Sequence, residues 1–383
     1  MFMKKISVSI CVYAIAGWLI FFCLSISAQD FKTIQGGIEY AEIKRGTEIE
    51  PVKINLLRLD LTKVRLDVVH ALDAAIGLET TSSMATRHGA SAAINAGFFR
   101  LDKSIFAGDA AGALMIDGKV LSESYADRFA LLIQNNKSKT KVSFYYLNLN
   151  AHAEIGNKTL ELSGINRERK NDELILFTPK FNRTTLTNSD GLEIVVKNRK
   201  VAAIIEQKGN VIIPRNGFVL SATGKRKEEL LKRFRVGEKA IIGAPLLSTR
   251  LGGVKTFIVS QYEDIIGGAP ALISFDEIKI TWEKEKCSKS FVETRHPRTA
   301  VAKLKDGKFL MVTVDGRQKE SVGMNLNELA ALLLELGAVD AMNLDGGGST
   351  TMFAGGKVVN KPSDKEGERR VSDAILVFPR KKN

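Results

Sequence analysis

The stretch Asn343-Leu344-Asp345-Gly346-Gly347-Gly348-Ser349-Thr350-Thr351 joins an acidic residue, three glycines and three hydroxyl side chains without a break. Apolar residues lead into it from Ala338 and continue after it to Phe353, so the pattern predicts a strand, a glycine turn and a second strand. Glycine lacks a Cβ, so its backbone can turn tightly and approach a ligand closely. Successive N–H groups in such a turn can bind an anion, and the carboxylate adds a base or a metal ligand. The stretch therefore predicts a functional loop, with an ordinary glycine-rich turn as the alternative.

Several better-known site patterns are absent from the sequence. A nucleotide P-loop requires Gly-Lys-Ser/Thr before a helix, but no lysine follows these glycines. The serine-nucleophile pattern Gly-x-Ser-x-Gly does not occur, and no two histidines stand at zinc-ligand spacing. No EF-hand pattern is present, although aspartates could still hold a hard cation. The prediction is therefore no cofactor, with the metal requirement left open.

Length and composition predict one large domain. The chain has 383 residues, of which 44% are hydrophobic, enough for a sizeable core in one or two domains. No Pro-Gly-rich linker separates two halves. We expect a single domain over residues 29–383, with residues 126–260 as a candidate strand-rich subdomain.

The N-terminus has the pattern of an export signal. Lys4-Lys5 is followed by an almost wholly apolar run from Ile6 to Leu24 and by small residues before Gln29. This predicts a signal peptide over residues 1–28 and a location in the periplasm, at the cell surface or in the medium. A retained membrane anchor is the alternative. After cleavage only Cys287 would remain, so no internal disulfide could form.

The net positive charge favours anionic partners. The net charge is +13, and removal of Lys4 and Lys5 leaves 13 − 2 = +11. The basic residues are scattered and only 7% of residues are aromatic, so no nucleic-acid module is indicated. A phosphorylated glycan or sugar phosphodiester is compatible with this surface, and membrane contact is expected only if the N-terminal segment is retained.

Periodicity predicts more strand than helix. Val52 to Val69 alternates and predicts a β-hairpin, and Thr299–Lys305 with Phe309–Val314 predicts another. Thr80–His88 and a segment from Asn325 or Asn327 to Leu336 predict helices. The expected fold class is α+β or mixed α/β, with a mixed β-sheet and a few helices.

Polar residues at the ends of apolar strands mark three candidate loops. Arg298 and Arg317 could each clamp a phosphate through the forked guanidinium, with a surface ion pair as the alternative. Asp315 and Asp345 could form a carboxylate pair for acid–base or nucleophilic work, although Asp-Gly is also a common turn. Asn95 lies between apolar residues and could hold a ligand, orient a carboxylate or serve only the structure.

Four motifs together resemble those of the phosphodiester glycosidase family. They are Ile94-Asn95-Ala96-Gly97-Phe98-Phe99, His296-Pro297-Arg298-Thr299-Ala300, Asp315-Gly316-Arg317 and Asn343 to Ser349. The resemblance extends over nearly the whole chain after the signal, with Ala269 departing where a glycine is expected. It implies hydrolysis of the glycosidic bond of a sugar-1-phosphodiester, such as an N-acetylglucosamine-1-phosphodiester, to free sugar and a phosphomonoester.

The resemblance also implies a set of site residues. The catalytic residues would be Asp345 and Asp315. The substrate-binding residues would be Asn95, Gly97, Arg298, Thr299, Arg317, Asn343, Gly346, Gly347, Gly348 and Ser349. Two alternatives stay open: a non-catalytic module that binds envelope polysaccharide, and a metal-dependent phosphodiesterase.

Overall fold

The computed structural model describes residues 30–149, 151–231, 234–243, 246–250, 253–257 and 261–381. The segment predicted as a signal peptide lies outside these residues. Residues 31–383 group into one compact unit. The predicted boundary at residue 29 and the subdomain over 126–260 stay predictions.

Strands dominate the described chain. The first strands are β1 (Lys32–Gln35), β2 (Ile38–Gly46), β3 (Pro51–Leu59), β4 (Val64–His70), β5 (Glu79–Thr80), β6 (Ala92–Asn95), β7 (Leu114–Ile116), β8 (Lys119–Ser122), β9 (Phe129–Asn135) and β10 (Thr140–Leu149). The middle strands are β11 (His152–Ile155), β12 (Lys158–Glu161), β13 (Gly164–Ile165), β14 (Leu174–Phe177), β15 (Leu192–Lys197), β16 (Lys200–Glu206), β17 (Gly217–Ala222), β18 (Ala240–Gly243), β19 (Leu246–Arg250) and β20 (Gly253–Phe257). The last strands are β21 (Asp264–Gly267), β22 (Ala271–Ser274), β23 (Glu277–Ile278), β24 (Arg298–Leu304), β25 (Phe309–Val314), β26 (Ala338–Asn343), β27 (Met352–Ala354), β28 (Lys357–Val358), β29 (Arg370–Val371) and β30 (Asp373–Pro379).

Four short α-helices accompany these strands: α1 (Thr81–His88), α2 (Gly224–Leu231), α3 (Lys289–Glu293) and α4 (Leu326–Glu335). Asn325, rather than Asn327, caps α4, and it does so in a capping box with Glu328. None of the helices in the described ranges is long and apolar enough to cross a membrane.

The sheets correct the predicted fold class. The strand order is β1-β2-β3-β25-β24-β26-β22-β23 in an eight-stranded sheet and β28-β27-β6-β30-β4 in a five-stranded sheet. Among the strand pairs described, only β13 and β14 run parallel. The domain is therefore mostly β, which confirms the predicted excess of strand and corrects the class α+β or mixed α/β. The predicted mixed sheet occurs only in the sheet where β13 joins β14.

The hairpin predicted over Val52–Val69 is also wrong. Its two halves are strands β3 and β4, but β3 pairs with β2 and β25, whereas β4 pairs with β30. The alternation identified two strands correctly without showing that they lie in different sheets. β3 instead forms its hairpin with the preceding strand β2, and β4 pairs over its whole length with the distant strand β30.

The eight-stranded sheet is covered on both faces. Successive residues of a strand point to opposite faces, so Leu57 and Met311 join one buried cluster with residues of β4, β6 and β30. Leu56 and Val312 point the other way and join a cluster with α4. The glycine turn leaves this sheet at β26 and enters the five-stranded sheet at β27, so it lies at the junction of the two sheets.

Candidate active site

The glycine turn is held by main-chain hydrogen bonds from two neighbouring motifs. The Asp345 N–H donates to the carbonyl of Ala96 (2.9 Å), and the Gly347 N–H donates to the carbonyl of Pro297 (2.9 Å). Residues Gly347–Ser349 form one turn of 3₁₀-helix, where the sequence predicted an irregular turn between strands. Three motifs that are far apart in the sequence are thereby brought to one place.

Three glycines are needed because other groups occupy the space of a side chain. A Cβ on Gly346 would lie 2.7 Å from the carbonyl oxygen of Pro297. Gly347 has a φ of +60°, and a Cβ there would lie 3.1 Å from Arg317 Nη2. A Cβ on Gly348 would overlap the side chains of Arg369 and Asp364. The absent side chains therefore allow two guanidinium groups to approach the turn.

The turn does not present a row of free N–H groups. The Ser349 N–H donates to Gly346 O and the Thr350 N–H to Gly347 O, each at 3.2 Å. The Gly348 N–H makes no hydrogen bond within the part of the chain that the structure describes. An anion at this turn would therefore be attracted mainly by the guanidinium groups of Arg317 and Arg369 rather than by free main-chain N–H groups.

Asp345 keeps some solvent exposure at the start of this turn. Desolvation by the surrounding protein raises the pKa of its carboxyl to about 6, and the nearby Asp373 carboxyl also raises it. The Ser349 hydroxyl, the Arg369 guanidinium and the Gly346 N–H act in the opposite direction. The Ser349 Oγ lies beside the carboxylate without an aligned hydrogen bond. Such a carboxyl is ionised at neutral pH but is more basic than an ordinary aspartate.

Arg317 and His296 form a polar pair next to the turn. Arg317 is exposed and has a φ of +59°, an uncommon conformation for a residue with a side chain. Its Nη2 lies 3.2 Å from Nδ1 of His296. Partial burial, followed by the charges of Arg298 and Arg317, lowers the pKa of His296. A neutral ring that accepts at Nδ1 carries its proton on Nε2, where it can donate to a ligand.

Arg369 was not identified from the sequence. It forms a bidentate ion pair with Asp364, at 2.7 Å from Nε to Oδ2 and 3.0 Å from Nη2 to Oδ1. The pair lies against Gly348, and both side chains are 27% exposed. Residues 361–370 are polar and charged, a composition typical of an ordinary surface loop, so no local signal distinguished this arginine.

Asp373 was missed as well, and it is the carboxyl that interacts electrostatically with Asp345. It is fully buried at the start of β30, where Oδ1 accepts the Gly97 N–H (2.6 Å) and Oδ2 accepts the Ser372 hydroxyl (2.7 Å). Burial raises its pKa, while His70, Ser372 and Gly97 oppose the rise. An aspartate leading into an apolar strand was the available signal. Gly97 donates its N–H to this carboxylate, and its role in substrate binding stays a prediction.

The hydrogen-bond partners of Asp315 differ from those of Asp345. Its side chain is buried, and it accepts hydrogen bonds from Asn360 Nδ2 (3.2 Å) and from the Lys361 N–H (3.1 Å). Asn360 also donates to Thr350 O (3.0 Å), so Asp315 supports the far end of the glycine turn through that side chain. Burial raises the pKa of Asp315. The carboxylate pair of Asp315 with Asp345 stays a prediction.

Asn95 and Thr299 belong to a buried network beneath the turn. Asn95 Nδ2 donates to the main-chain oxygen of Asp345 (2.7 Å). Its Oδ1 accepts from the Thr299 hydroxyl (2.9 Å) and from the Thr351 N–H (3.0 Å). Asn343 is equally buried, and its Nδ2 donates to Ala269 O (2.7 Å). These three side chains are buried and position the turn, and their role in substrate binding stays a prediction.

Arg298 is buried directly behind the polar pair. Its Nε donates to Met324 O (2.9 Å), and its Nη2 donates to Phe291 O and Thr294 O (both 2.8 Å). Burial lowers its pKa to about 10, so it remains cationic at neutral pH. No carboxylate of the described ranges forms an ion pair with it. It therefore contributes positive potential from beneath the site, and its role as a direct phosphate clamp stays a prediction.

Comparison with known proteins shows similarity to one enzyme family over part of the chain. Residues 190–378 match the model of the phosphodiester glycosidase family. The chain is 37% identical over 86 residues to the SPbeta prophage-derived uncharacterized protein YomE of Bacillus subtilis, covering 22% of this chain and 13% of that protein. It is 41% identical over 93 residues to the N-acetylglucosamine-1-phosphodiester alpha-N-acetylglucosaminidase of Bos taurus, covering 23% of this chain and 18% of that protein.

A solved structure matches over a much longer part of the chain. A hypothetical protein from Synechocystis superposes with a TM-score of 0.77 at 23% identity, covering 92% of this chain and 64% of that one. This likeness shows the fold alone. The two sequence relatives are matched over less than a fifth of their own length. The family model and the partial match to the bovine enzyme together show that residues 190–378 resemble a phosphodiester glycosidase domain.

Proposed function

We propose that the protein hydrolyses the glycosidic C–O bond of a sugar-1-phosphodiester, giving free sugar and a phosphomonoester. The observation that carries this proposal is a partly exposed, unusually basic Asp345 at the start of a glycine turn that two guanidinium groups approach, Arg317 at Gly347 and Arg369 at Gly348. The bovine relative is named for the same reaction on N-acetylglucosamine-1-phosphodiester, and a substrate of this class is proposed here.

The cations would bind the phosphate. Arg317 is exposed at the turn, Arg369 lies against Gly348, and Arg298 adds positive potential from below. Guanidinium groups fixed before the substrate arrives stabilise charge that develops on the leaving oxygen without further reorganisation. The neutral His296 ring would donate its Nε2 proton to a phosphate oxygen.

Asp345 would act on the sugar. In one route its carboxylate takes a proton from water, the water oxygen bonds to the anomeric carbon, and the C–O electron pair leaves with the phosphate. In the other route the carboxylate itself bonds to that carbon, and water hydrolyses the resulting ester. Both routes need ionised Asp345. Asp373 and Asn95 would position it, the first through the Gly97 N–H and the second through the Asp345 carbonyl.

The experiment is hydrolysis of a panel of sugar-1-phosphodiesters, including N-acetylglucosamine-1-phospho-6-mannose, with free sugar as the readout. We expect release by the wild type and a loss of about 1,000-fold in Asp345→Asn. Release that is unchanged in this variant would contradict the assigned role. Binding of the panel without release by any variant would support the polysaccharide-binding alternative instead.

A chelator arm tests the metal-dependent alternative. No cluster of three or more His, Cys, Asp or Glu side chains suited to a metal occurs among the described residues. Loss of activity in EDTA that a divalent ion restores would favour the metal-dependent phosphodiesterase.

The N-terminal sequence supports a further proposal, that the protein acts outside the cytoplasm. N-terminal sequencing of the processed protein would test it.

A further inference from the structure

A groove of about 840 Å³ lies away from the glycine turn, where three sheets meet. The β7–β8 hairpin, strands β14 and β17, and strand β18 line it. Its floor includes Val120, Phe218 and Ile242, which are only partly buried, with Leu176 fully covered below them. Val120, Phe218 and Ile242 come from three separate strands and expose apolar surface along this one groove.

The rim of this groove is positive. Lys119, Lys180 and Arg215 line it, and no aspartate or glutamate does. Within the described residues, neither Lys119 nor Arg215 forms an ion pair, and Lys180 Nζ donates to the main-chain oxygen of Asp73 at 3.4 Å. Both lysines also border an adjoining cavity that contains acidic side chains. Arg215 is therefore the cation farthest removed from acidic neighbours.

The lining excludes some ligand classes. A polysaccharide site usually offers several hydroxyl and amide groups, but this groove has only Thr178 and Asn216 of that kind. An uncharged hydrocarbon would leave Arg215 unpaired. A volume of this size is typical of sites for small molecules. An apolar floor with a cationic end matches a molecule that has a hydrocarbon chain and one acidic group.

We propose that this groove binds a single-chain anionic amphiphile, with the chain along Val120, Phe218 and Ile242 and the acidic group at Arg215. The proposal does not depend on the reaction at Asp345. Thr178, Pro179 and Arg215 line this groove and take no part in the proposed reaction.

The test is titration of the whole protein with dansylated undecanoic acid, followed by dansyl fluorescence. We expect saturable one-to-one binding that dodecanoate displaces and dodecanol does not. Arg215→Gln should weaken binding about tenfold, because it removes one charge-assisted contact. Arg183→Gln is the matched control, since Arg183 is exposed on the same part of the chain and does not line the groove.

A substitution in the floor of the groove gives an independent test. Phe218→Asn should weaken the probe at least about tenfold, and thermal unfolding shows whether that variant folds. If it does not fold, Arg215→Gln alone decides the question. Absence of saturable binding, equal displacement by dodecanoate and dodecanol, or equal losses in Arg215→Gln and Arg183→Gln would overturn the proposal. Binding to phosphatidylglycerol vesicles without binding of the monomeric probe would overturn it too.

Discussion

At the scale of single residues, the proposed reaction depends on the protonation state of Asp345. Desolvation raises the pKa of this carboxyl to about 6, and the catalytic form is the ionised one. We expect log kcat/KM to fall by about one unit per pH unit below about pH 6 and to level off above it. A pH–rate profile from about pH 4.5 to 8 measures this. A flat profile, or one that falls as the pH rises through 6, would contradict the assignment.

The same raised pKa predicts an effect on stability. The folded protein holds the Asp345 proton up to about pH 6, whereas an unfolded aspartate loses it near pH 4. Ionisation therefore costs folding free energy above pH 6, and this cost disappears as the pH falls through about 4. After allowance for partial exposure, Asp345→Asn should stabilise the fold by about 1–2 kcal/mol at about pH 7.5.

Denaturant unfolding of the wild type and of Asp345→Asn at about pH 4 and about pH 7.5 measures this difference in the free energy of unfolding. Asp127→Asn is the control, because Asp127 is exposed and has a φ of +48° that asparagine also tolerates. We expect no pH-dependent gain from that control. If Asp345→Asn were destabilising at about pH 7.5, its carboxylate would be a net stabilising group and the desolvation argument would fail.

At the scale of elements, the glycine turn is the structure that assembles the site. Gly348→Ala would push its Cβ into Arg369 and Asp364, and so move a proposed phosphate-binding guanidinium. We expect kcat/KM to fall about 100-fold, as when one preorganised electrostatic group is lost. Gly36→Ala is the matched control, since nothing lies within 4 Å of a Cβ there. An active Gly348→Ala enzyme would show that Arg369 is not needed where the structure places it.

The sequence predicted local elements better than their partners. The helix at Thr81–His88 and the strand Phe309–Val314 follow their patterns closely, because caps and apolar alternation are local signals. The pairing of β4 with β30 joins residues about 300 positions apart, and no local pattern specifies it. The same limit applies to the site. Asp345 and the glycines are candidates from the sequence alone, whereas Arg369 and Asp373 join the candidate site only through tertiary contacts.

At the scale of the molecule, the matched family region cannot form its sheets alone. In the eight-stranded sheet β25 pairs with β3, and in the five-stranded sheet β30 pairs with β4 and β6. A fragment of residues 190–378 would leave β30 without either partner and β25 with β24 alone, and would expose their apolar faces. We expect this fragment to lack a cooperative thermal transition, whereas residues 30–383 should show one. Circular dichroism measures both, and a cooperatively folding fragment would show that the two halves are separable.

The claim that matters most is that the C–O bond breaks and the P–O bond stays intact. Hydrolysis in ¹⁸O-labelled water, followed by mass spectrometry of both products, tests it directly. We predict that the label appears in the released sugar, that the phosphomonoester carries none, and that Asp345→Asn releases neither product at a comparable rate. Label in the phosphate would contradict the account and establish phosphodiesterase chemistry in its place.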